Sequence, residues 1–363
     1  MKWNSISLAG SLNKLKQLLN HHPKTIIGID LGTHSIKVVE IDVSSDKPFL
    51  KRVGLEDYHS VTNPDNLFLD NTVVQKLEHL LTTSGILAKE AVIAISSNKI
   101  FVREITFPAM TEAELCEAVK WDSENYVPYH PGSYYYDFSV LPSSNTLESK
   151  ILFVAAPQDA INRVVSISKE VGLKLLAVDI EPLALHRTLN TYNNCAILDI
   201  GAAVSQIILF ENGVPYVTRS IPIAGQSFTS EIMQSLDLDF PEAENLKKRQ
   251  KGLLQQPDLQ EGLTDLNHKL ALIATDLIRE LSRTLDYYQI QNKSTVIDKL
   301  ILTGGGSKLD NLDMYISKQL GLPVINNDVL EGLNIPESFS ETYLQELAPQ
   351  FAVAIGLALR GGK

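Results

Sequence analysis

The amino-acid sequence predicts an α/β protein built from two related halves around a cleft, and three observations lead to that prediction. An apolar strand that ends in an Asp-x-Gly turn and returns as a second strand occurs at residues 30–32. The same unit recurs at residues 199–201, nearly half a chain later. A third turn, the three glycines at 304–306, directly follows another apolar strand. Two copies of one supersecondary unit in a 363-residue chain predict a duplicated fold, with the turns facing each other across the cleft.

The composition is typical of a globular protein from a reducing compartment. Hydrophobic residues make up 44% of the chain, which is enough for large cores. The net charge of −11 argues against nucleic acid as a partner, since proteins that bind it usually present a basic surface. The two cysteines, Cys116 and Cys195, lack the spacing of metal ligands or of a disulfide framework. We see no signal peptide and no apolar run of roughly 18 to 20 residues, so we expect a cytoplasmic protein.

The first half begins with an amphipathic segment and a β-hairpin. Residues 1–22 place apolar side chains on one helical face, which predicts a helix docked on the domain or a partly ordered tail. The alternative is a helix that binds a partner or a membrane surface. Residues 25–43 alternate as a hairpin, and further periodicity predicts a third strand over 49–60 and a helix over 66–83.

The rest of this half contains a segment that we interpret as an insert. A helix starts at Thr111, where Glu114 stands three residues after the cap as in a capping box, and it is expected to end near Asn125. A Pro- and Tyr-rich stretch then runs to residue 137. The other predicted elements are strands over 91–96, 100–107 and 150–156 and a helix over 158–171.

The second half repeats the hairpin and continues into helices. Strands are predicted over 196–200, 205–210 and 214–221, and Asn212-Gly213 between the last two is a strong hairpin-turn dipeptide. The remaining predicted elements are a helical region over 240–292 that is broken near Gln256-Pro257, a strand over 299–303, a helix over 309–321 and a closing helix over 346–359.

The chemistry of the three turns points to a bound polyphosphate. A carboxylate at the end of a buried strand, such as Asp30 or Asp199, can hold Mg²⁺ through water. The following glycine lets the backbone turn sharply, and amide N–H groups in such turns can point at phosphate oxygens. The triple glycine allows a base or ribose to lie against bare backbone; the alternative is a flexible strand-to-helix loop. No turn matches a Walker A loop or a dinucleotide-binding fingerprint.

These elements, in this order, resemble the superfamily of actin, Hsp70 and the sugar kinases. Residues 30–37 resemble its first phosphate loop, 199–206 its second and 303–307 its adenosine loop, while 243–247 resemble a helix that carries Glu and Lys beside the adenosine. The resemblance implies a duplicated actin-like, ribonuclease H-like ATPase fold that binds ATP or ADP, with Mg²⁺ at Asp30 and Asp199. The residues expected at the nucleotide are Asp30, Gly32, Thr33, His34, Ser35, Lys37, Asp199, Gly201, Ala202, Ala203, Gly225, Glu244, Lys247, Gly304, Gly305, Gly306 and Ser307.

A narrower resemblance, to the PilM family of type IV pilus assembly, covers residues 25–361. It rests on the segments 107–110, 118–121, 126–129, 283–288 and 347–360. It implies a scaffold at the cytoplasmic face of the inner membrane. The scaffold binds the cytoplasmic N-terminal peptide of a PilN-type membrane protein, in a groove between the first subdomain and the insert. Other pilus assembly proteins and self-association are further expected partners. The apolar candidates for the groove are Met110, Trp121, Tyr126, Val127 and Tyr129.

This resemblance also divides the chain into expected domains. The insert, which would bind the partner, interrupts the first actin-like subdomain. The expected units are an N-terminal helix or tail over 1–24, the first subdomain over 25–91 and 156–192, the insert over 92–155, the second domain over 193–345 and a C-terminal helix over 346–363 that packs back on the first domain.

The second turn departs from the superfamily pattern. Ala202 and Ala203 stand where glycines usually lie against phosphates, Val204 replaces a hydroxyl, and Gln206 replaces a carboxylate. Ser205 is a candidate replacement for that hydroxyl, but strand alternation is expected to turn it to the other face. Because hydrolysis needs an oriented water and stabilised charge, we expect nucleotide binding with slow or absent hydrolysis, and we assign no catalytic residue. The alternatives are a slow ATPase, a filament-forming FtsA-like protein and, with less support, a sugar-kinase-like phosphotransferase.

Overall fold

The computed structural model describes residues 25–57, 72–95, 100–142, 145–189, 192, 194–249, 261–291 and 297–362. The expected segment over 1–24, the first part of the helix over 66–83 and the break near Gln256-Pro257 lie outside these ranges.

The first half forms a five-stranded sheet interrupted by a three-stranded one. In chain order its elements are β1 (Thr25–Leu31), β2 (Ser35–Asp42), β3 (Phe49–Asp57), α1 (Thr72–Thr83), β4 (Glu90–Ile95), β5 (Phe101–Pro108), α2 (Glu112–Tyr126), β6 (Tyr134–Leu141), β7 (Glu148–Pro157), α3 (Gln158–Glu170), β8 (Lys174–Ile180) and α4 (Glu181–Arg187). The large sheet has the order β3-β2-β1-β4-β8, in which β1 to β3 form an antiparallel meander and β4 and β8 add in parallel.

Both faces of this sheet are buried, which explains why β1 is a nearly continuous apolar run. Ile27 and Ile29 face α1 and α3, while Ile26 faces the opposite layer with α4. A parallel strand that is covered on both faces needs apolar side chains at odd and even positions alike.

The insert is a separate layer with its own core. Its sheet has the order β5-β7-β6, and α2 covers it through Leu115 and Val119. The predicted capping box is confirmed: the Thr111 side chain accepts from the Glu114 N–H, and the Thr111 N–H donates to the Glu114 carboxylate at 2.8 Å.

Two expectations for this region need correction. The sequence analysis predicts no strand in the Pro- and Tyr-rich stretch that runs to residue 137, yet β6 begins at Tyr134 and pairs along its whole length with β7. The insert also begins later than residue 92, since β4 lies between β1 and β8 in the large sheet as far as Ile95.

The second half repeats the topology of the first. Its elements are β9 (Cys195–Ile200), β10 (Ser205–Glu211), β11 (Val214–Ile221), α5 (Gly225–Leu236), α6 (Phe240–Arg249), α7 (Glu261–Gln291), β12 (Leu300–Thr303), α8 (Leu312–Leu320), β13 (Val324–Asn326), α9 (Glu341–Leu347) and α10 (Ala352–Ala358). The sheet order β11-β10-β9-β12-β13 matches that of the first half strand for strand. The predicted duplication is therefore confirmed.

Besides β6, the sequence analysis missed four elements, and it merged three others into one helix. The missed ones are β8, α4, α5 and β13, and the single closing helix over 346–359 is in fact α9, a 3₁₀ turn over Ala348–Phe351, and α10. The helix is interrupted because Pro349 has no backbone N–H to donate within a continuous α-helix. Among the described residues, we find no helix that combines the length and apolarity needed to cross a membrane.

Small residues let the C-terminal helix α10 pack very closely on the first domain, as expected. A Cβ on Gly28 of β1 would lie 1.8 Å from the carbonyl oxygen of Ala354. On the other side of α10, a Cβ on Gly356 would lie 1.9 Å from the carbonyl oxygen of Ala184. Both contacts are with backbone, so neither can relax by a side-chain rotation.

This packing predicts a large cost for one added methyl group. Gly28→Ala forces β1 and α10 apart, and we expect it to lower the free energy of unfolding by about 3 kcal/mol. Gly132→Ala is the control: its Cβ meets nothing within 4 Å, so it carries only the strain of its φ of +76°, about 1 kcal/mol. Urea denaturation of both variants measures the difference, and equal stability of the two would contradict the close packing.

Candidate functional site

The two halves enclose a cavity of 350 Å³, which is the size of a small-molecule site. The β1–β2 turn and the β9–β10 turn line it from opposite sides, together with the triple-glycine turn. The start of α5, one face of α6 and the segment from Glu346 to Val353 complete its walls. Every predicted nucleotide residue lines this cavity except Ala203 and Ser307.

The carboxylates of Asp30 and Asp199 lie at the floor of the cavity. Each belongs to the central strand of its sheet, one residue before the strand ends. Asp30 pairs across the hairpin with Lys37, whose Nζ lies 3.0 Å from the Asp30 Oδ2. Burial and the nearby charge of Asp30 raise the pKa of Asp199 to about 6, and Lys37 acts in the opposite direction. The negative charge of Asp199 is therefore less well compensated than that of Asp30.

The β9–β10 turn is held by the first turn of α5. The N–H of Gly225 donates to the Gly201 carbonyl at 3.0 Å, and the N–H of Gln226 donates to the Ala202 carbonyl at 2.8 Å. As predicted from strand alternation, Ser205 points away from the cavity: it is fully buried, and its hydroxyl donates to the carbonyl of Ile223 at 2.6 Å. The Ser205 hydroxyl therefore does not replace the one that Val204 lacks.

Glu181 is a site residue that the sequence analysis missed. It begins α4, and its carboxylate accepts a hydrogen bond from the side-chain amide of Gln206, so the two halves meet there. Both residues line the cavity. A signal was present, because the apolar run of β8 ends in Glu181-Pro182, an acidic residue and a proline typical of a helix start.

Glu244 and Lys247 share one face of α6, as their spacing predicted, and they form a half-buried ion pair. The Lys247 Nζ lies 2.7 Å from the Glu244 Oε2, 2.7 Å from the Thr229 hydroxyl and 3.0 Å from the Gly225 carbonyl. Burial acts to raise the pKa of Glu244, yet Lys247 and the Thr229 hydroxyl outweigh it and lower that pKa. Burial lowers the pKa of Lys247, and Glu244 acts against it.

The mouth of the cavity brings the two halves together a second time. The His34 ring, from the β1–β2 turn, lies 6.1 Å from the ring of Phe240 at the start of α6. Burial lowers the pKa of His34, which favours its neutral form. Lys248 and Lys308, which the sequence analysis did not single out, also line the cavity.

The triple-glycine turn contacts the cavity floor directly. Gly304 has a φ of +83°, and a Cβ there would lie 2.2 Å from the Asp199 Oδ1. Ser307 turns inward instead: its hydroxyl donates to the Gly304 carbonyl at 2.7 Å. Ser307 therefore stabilises the turn and does not line the cavity.

The predicted partner residues fall into two groups. Met110, Tyr126 and Tyr129 are half-buried against the insert core, and Val127 is buried within it. Trp121 is 79% exposed on α2.

The two carboxylates at the floor fit a magnesium ion that takes its remaining ligands from water and a phosphate. Within the described ranges, no group of three or more His, Cys, Asp or Glu side chains is arranged to hold a metal by itself. Mg²⁺, however, commonly takes one or two protein carboxylates and completes its shell with water and phosphate oxygens. Asp30 and Asp199 could supply that pair.

A family model and a solved structure point to the same family. The family model described as type IV pilus assembly protein PilM matches residues 28–362. The solved PilM-PilN type IV pilus biogenesis complex is 27% identical with a TM-score of 0.77, covering 93% of this chain and 98% of that chain. MreB5 of Spiroplasma citri bound to AMPPNP shares the fold, with a TM-score of 0.51 and 15% identity over 92% of this chain and 95% of that chain.

Curated sequences match over shorter ranges. The cell shape-determining protein MreB of Pasteurella multocida is 25% identical over 167 residues, covering 38% of this chain and 47% of that protein. The chain spans about half the length of the curated relatives it matches.

The raised pKa of Asp199 predicts how stability depends on pH without ligand. The folded state favours the protonated carboxyl, so this contribution is fully present below the unfolded pKa of 3.8 and is lost as the pH rises through about 6. Asp199→Asn keeps the shape and removes the charge. We expect it to raise the free energy of unfolding at pH 7.5 by about 2–3 kcal/mol and to have little effect near pH 4.

Thermal unfolding at both pH values, without nucleotide or Mg²⁺, measures this difference. Asp46→Asn, on the exposed β2–β3 loop, controls for the loss of one negative charge. A change in stability on Asp199→Asn that is the same at both pH values would contradict the electrostatic account of the floor.

Proposed function

Because this chain belongs to the PilM family of type IV pilus assembly proteins, we propose that it is an actin-like scaffold. It holds ATP or ADP with Mg²⁺ in its cleft and captures the cytoplasmic N-terminal peptide of a PilN-type inner-membrane protein. The observation that carries the proposal is the similarity to the PilM-PilN complex over 93% of the chain. On this proposal the protein works at the cytoplasmic face of the inner membrane, where its partner holds it.

The cavity lining supports the nucleotide part of the proposal. Lys37 and the backbone of the two Asp-x-Gly turns suit the phosphates, because they surround the floor from both halves. The triple-glycine turn presents bare backbone to the nucleoside, next to the Glu244–Lys247 pair on α6. We propose that Glu244 accepts from the ribose hydroxyls.

Mg²⁺ would offset the repulsion between the two carboxylates at the floor. Asp30 and Asp199 bring two carboxylates to the floor. Lys37 forms its ion pair with Asp30. Asp30 and Asp199 would hold the ion, which would supply the positive charge that two carboxylates and a phosphate require. This chain's own residues orient it, because β1 and β9 fix the position of both carboxylates.

The same floor explains why we expect little hydrolysis. Val204 offers no hydroxyl to a phosphate, and Gln206 brings an amide where relatives in the superfamily have a carboxylate. That amide donates to Glu181, so the Glu181 carboxylate already has a partner and is less available to orient a water. We therefore propose a nucleotide clamp and assign no catalytic residue.

The insert supports the peptide part of the proposal. Met110, Tyr126 and Tyr129 are half-buried, so part of each side chain remains open for a peptide to cover. Their rings and chains are also fixed by the insert core, which lowers the entropy cost of binding. We extend the proposal to other pilus assembly proteins and to self-association; for self-association the support is the shared actin-like fold alone.

The proposal predicts peptide binding that responds to nucleotide. We expect a synthetic N-terminal peptide of the PilN-type protein to bind the purified chain, with an affinity that changes by at least about fivefold on addition of Mg-ATP. Isothermal titration with and without Mg-ATP measures both quantities, and a scrambled peptide is the control. No binding in either state would remove the partner, whereas binding that ignores nucleotide would remove the coupling.

A further inference from the structure

Helix α2 presents an exposed face that the insert core does not use. Its buried side chains, Leu115, Val119 and Ser123, recur every four residues and face the sheet. Glu114, Glu117, Trp121 and Glu124 are spaced by three, four and three residues, which places them together on the opposite face. We call these four residues the α2 stripe; all four are exposed.

Trp121 makes this face unusual. With 79% of its surface exposed, it is the most exposed aromatic side chain among the described residues. Trp is a large side chain that is highly buried on average, and it is enriched among the residues that dominate binding interfaces. The indole is also the best aromatic surface for a cation.

The negative charge around Trp121 determines which kind of partner can bind over it. Helix α2 carries five carboxylates and a single lysine. On the stripe, Glu117 has only a loose contact with Lys120, at 3.8 Å between two exposed side chains, and Glu114 caps its own helix. A negatively charged face repels anionic lipid and nucleic acid, and it attracts Lys and Arg.

We propose that the α2 stripe binds a positively charged, Arg- or Lys-containing peptide segment, with Trp121 as its central contact and Glu117 and Glu124 beside it. The segment is the cytoplasmic flank of the membrane-anchored partner, because cytoplasmic segments next to transmembrane helices carry an excess of Lys and Arg. This inference rests on the proposed function and adds to it a surface and a charge rule for the partner.

Trp121 can report on its own occupancy. The chain has two tryptophans, so Trp3→Phe leaves Trp121 as the sole indole. The probes are the N-terminal peptide of the PilN-type protein, the same peptide with its Lys and Arg changed to Gln, and a short peptide of alternating Arg and Leu. We expect the two basic peptides to shift the Trp121 emission, and the neutral one to bind at least tenfold more weakly.

Variants of the stripe separate this site from the rest of the insert. Trp121→Ala and the pair Glu117→Gln with Glu124→Gln are expected to weaken basic-peptide binding about tenfold, and the effect of the carboxylates to shrink as salt rises. Leu147→Ala is the matched apolar control, since Leu147 is 77% exposed on the same insert. Glu78→Gln, exposed on α1, controls for lost charge. Thermal unfolding confirms that each variant is folded.

Each outcome decides between the inference and the function on which it rests. If the PilN-type peptide binds but ignores the stripe variants and the Trp121 emission, the inference is wrong and the proposed function stands. If the Arg-Leu peptide binds through Trp121 and the PilN-type peptide does not, the stripe is a basic-peptide site and the proposed partner is wrong. If neither peptide binds, both are wrong.

Discussion

The central constraint in this molecule is the repulsion between two carboxylates at the ends of two central strands. Because the fold is duplicated, β1 and β9 deliver Asp30 and Asp199 to one cavity floor, where Lys37 forms an ion pair with Asp30. Such a floor is costly while it is empty and favourable once a cation and a phosphate share it. The paired carboxylates thus link the topology of the two sheets to the proposed nucleotide. On the proposed function, the β9–β10 turn with Val204 and Gln206 positions water poorly at the same floor.

The C-terminal segment connects this floor to the rest of the first half. Its first part lines the cavity, and the Pro349 carbonyl accepts from the Gly304 N–H at 3.1 Å. Helix α10 then packs on Gly28 at backbone distance. Beyond it, Arg360 and Arg187 lie 3.0 and 2.8 Å from the Asp179 carboxylate at the end of β8. A continuous series of contacts along the C-terminal segment therefore joins the triple-glycine turn to the edge of the large sheet.

Local patterns predicted the parts of the fold that local chemistry determines. Alternation and the Asp-x-Gly turns gave both hairpins, and the spacing of Glu244 and Lys247 gave their ion pair. The sequence analysis missed β6 behind a Pro- and Tyr-rich stretch, because only pairing with β7 defines it. It missed Glu181 as a site residue, since the Gln206 contact joins different halves. It misplaced Ser307, whose hydroxyl is used by the turn itself.

The central claim is that the cleft holds a Mg-nucleotide without turning it over. The most direct test mixes the purified chain with γ-labelled ATP and counts bound nucleotide and released phosphate in the same sample, with Mg²⁺ or with EDTA. The account predicts binding that requires Mg²⁺, with nearly all label still on ATP after many minutes. An absence of bound nucleotide, or phosphate release at about 1 s⁻¹ that Asp199→Ala abolishes, would contradict it.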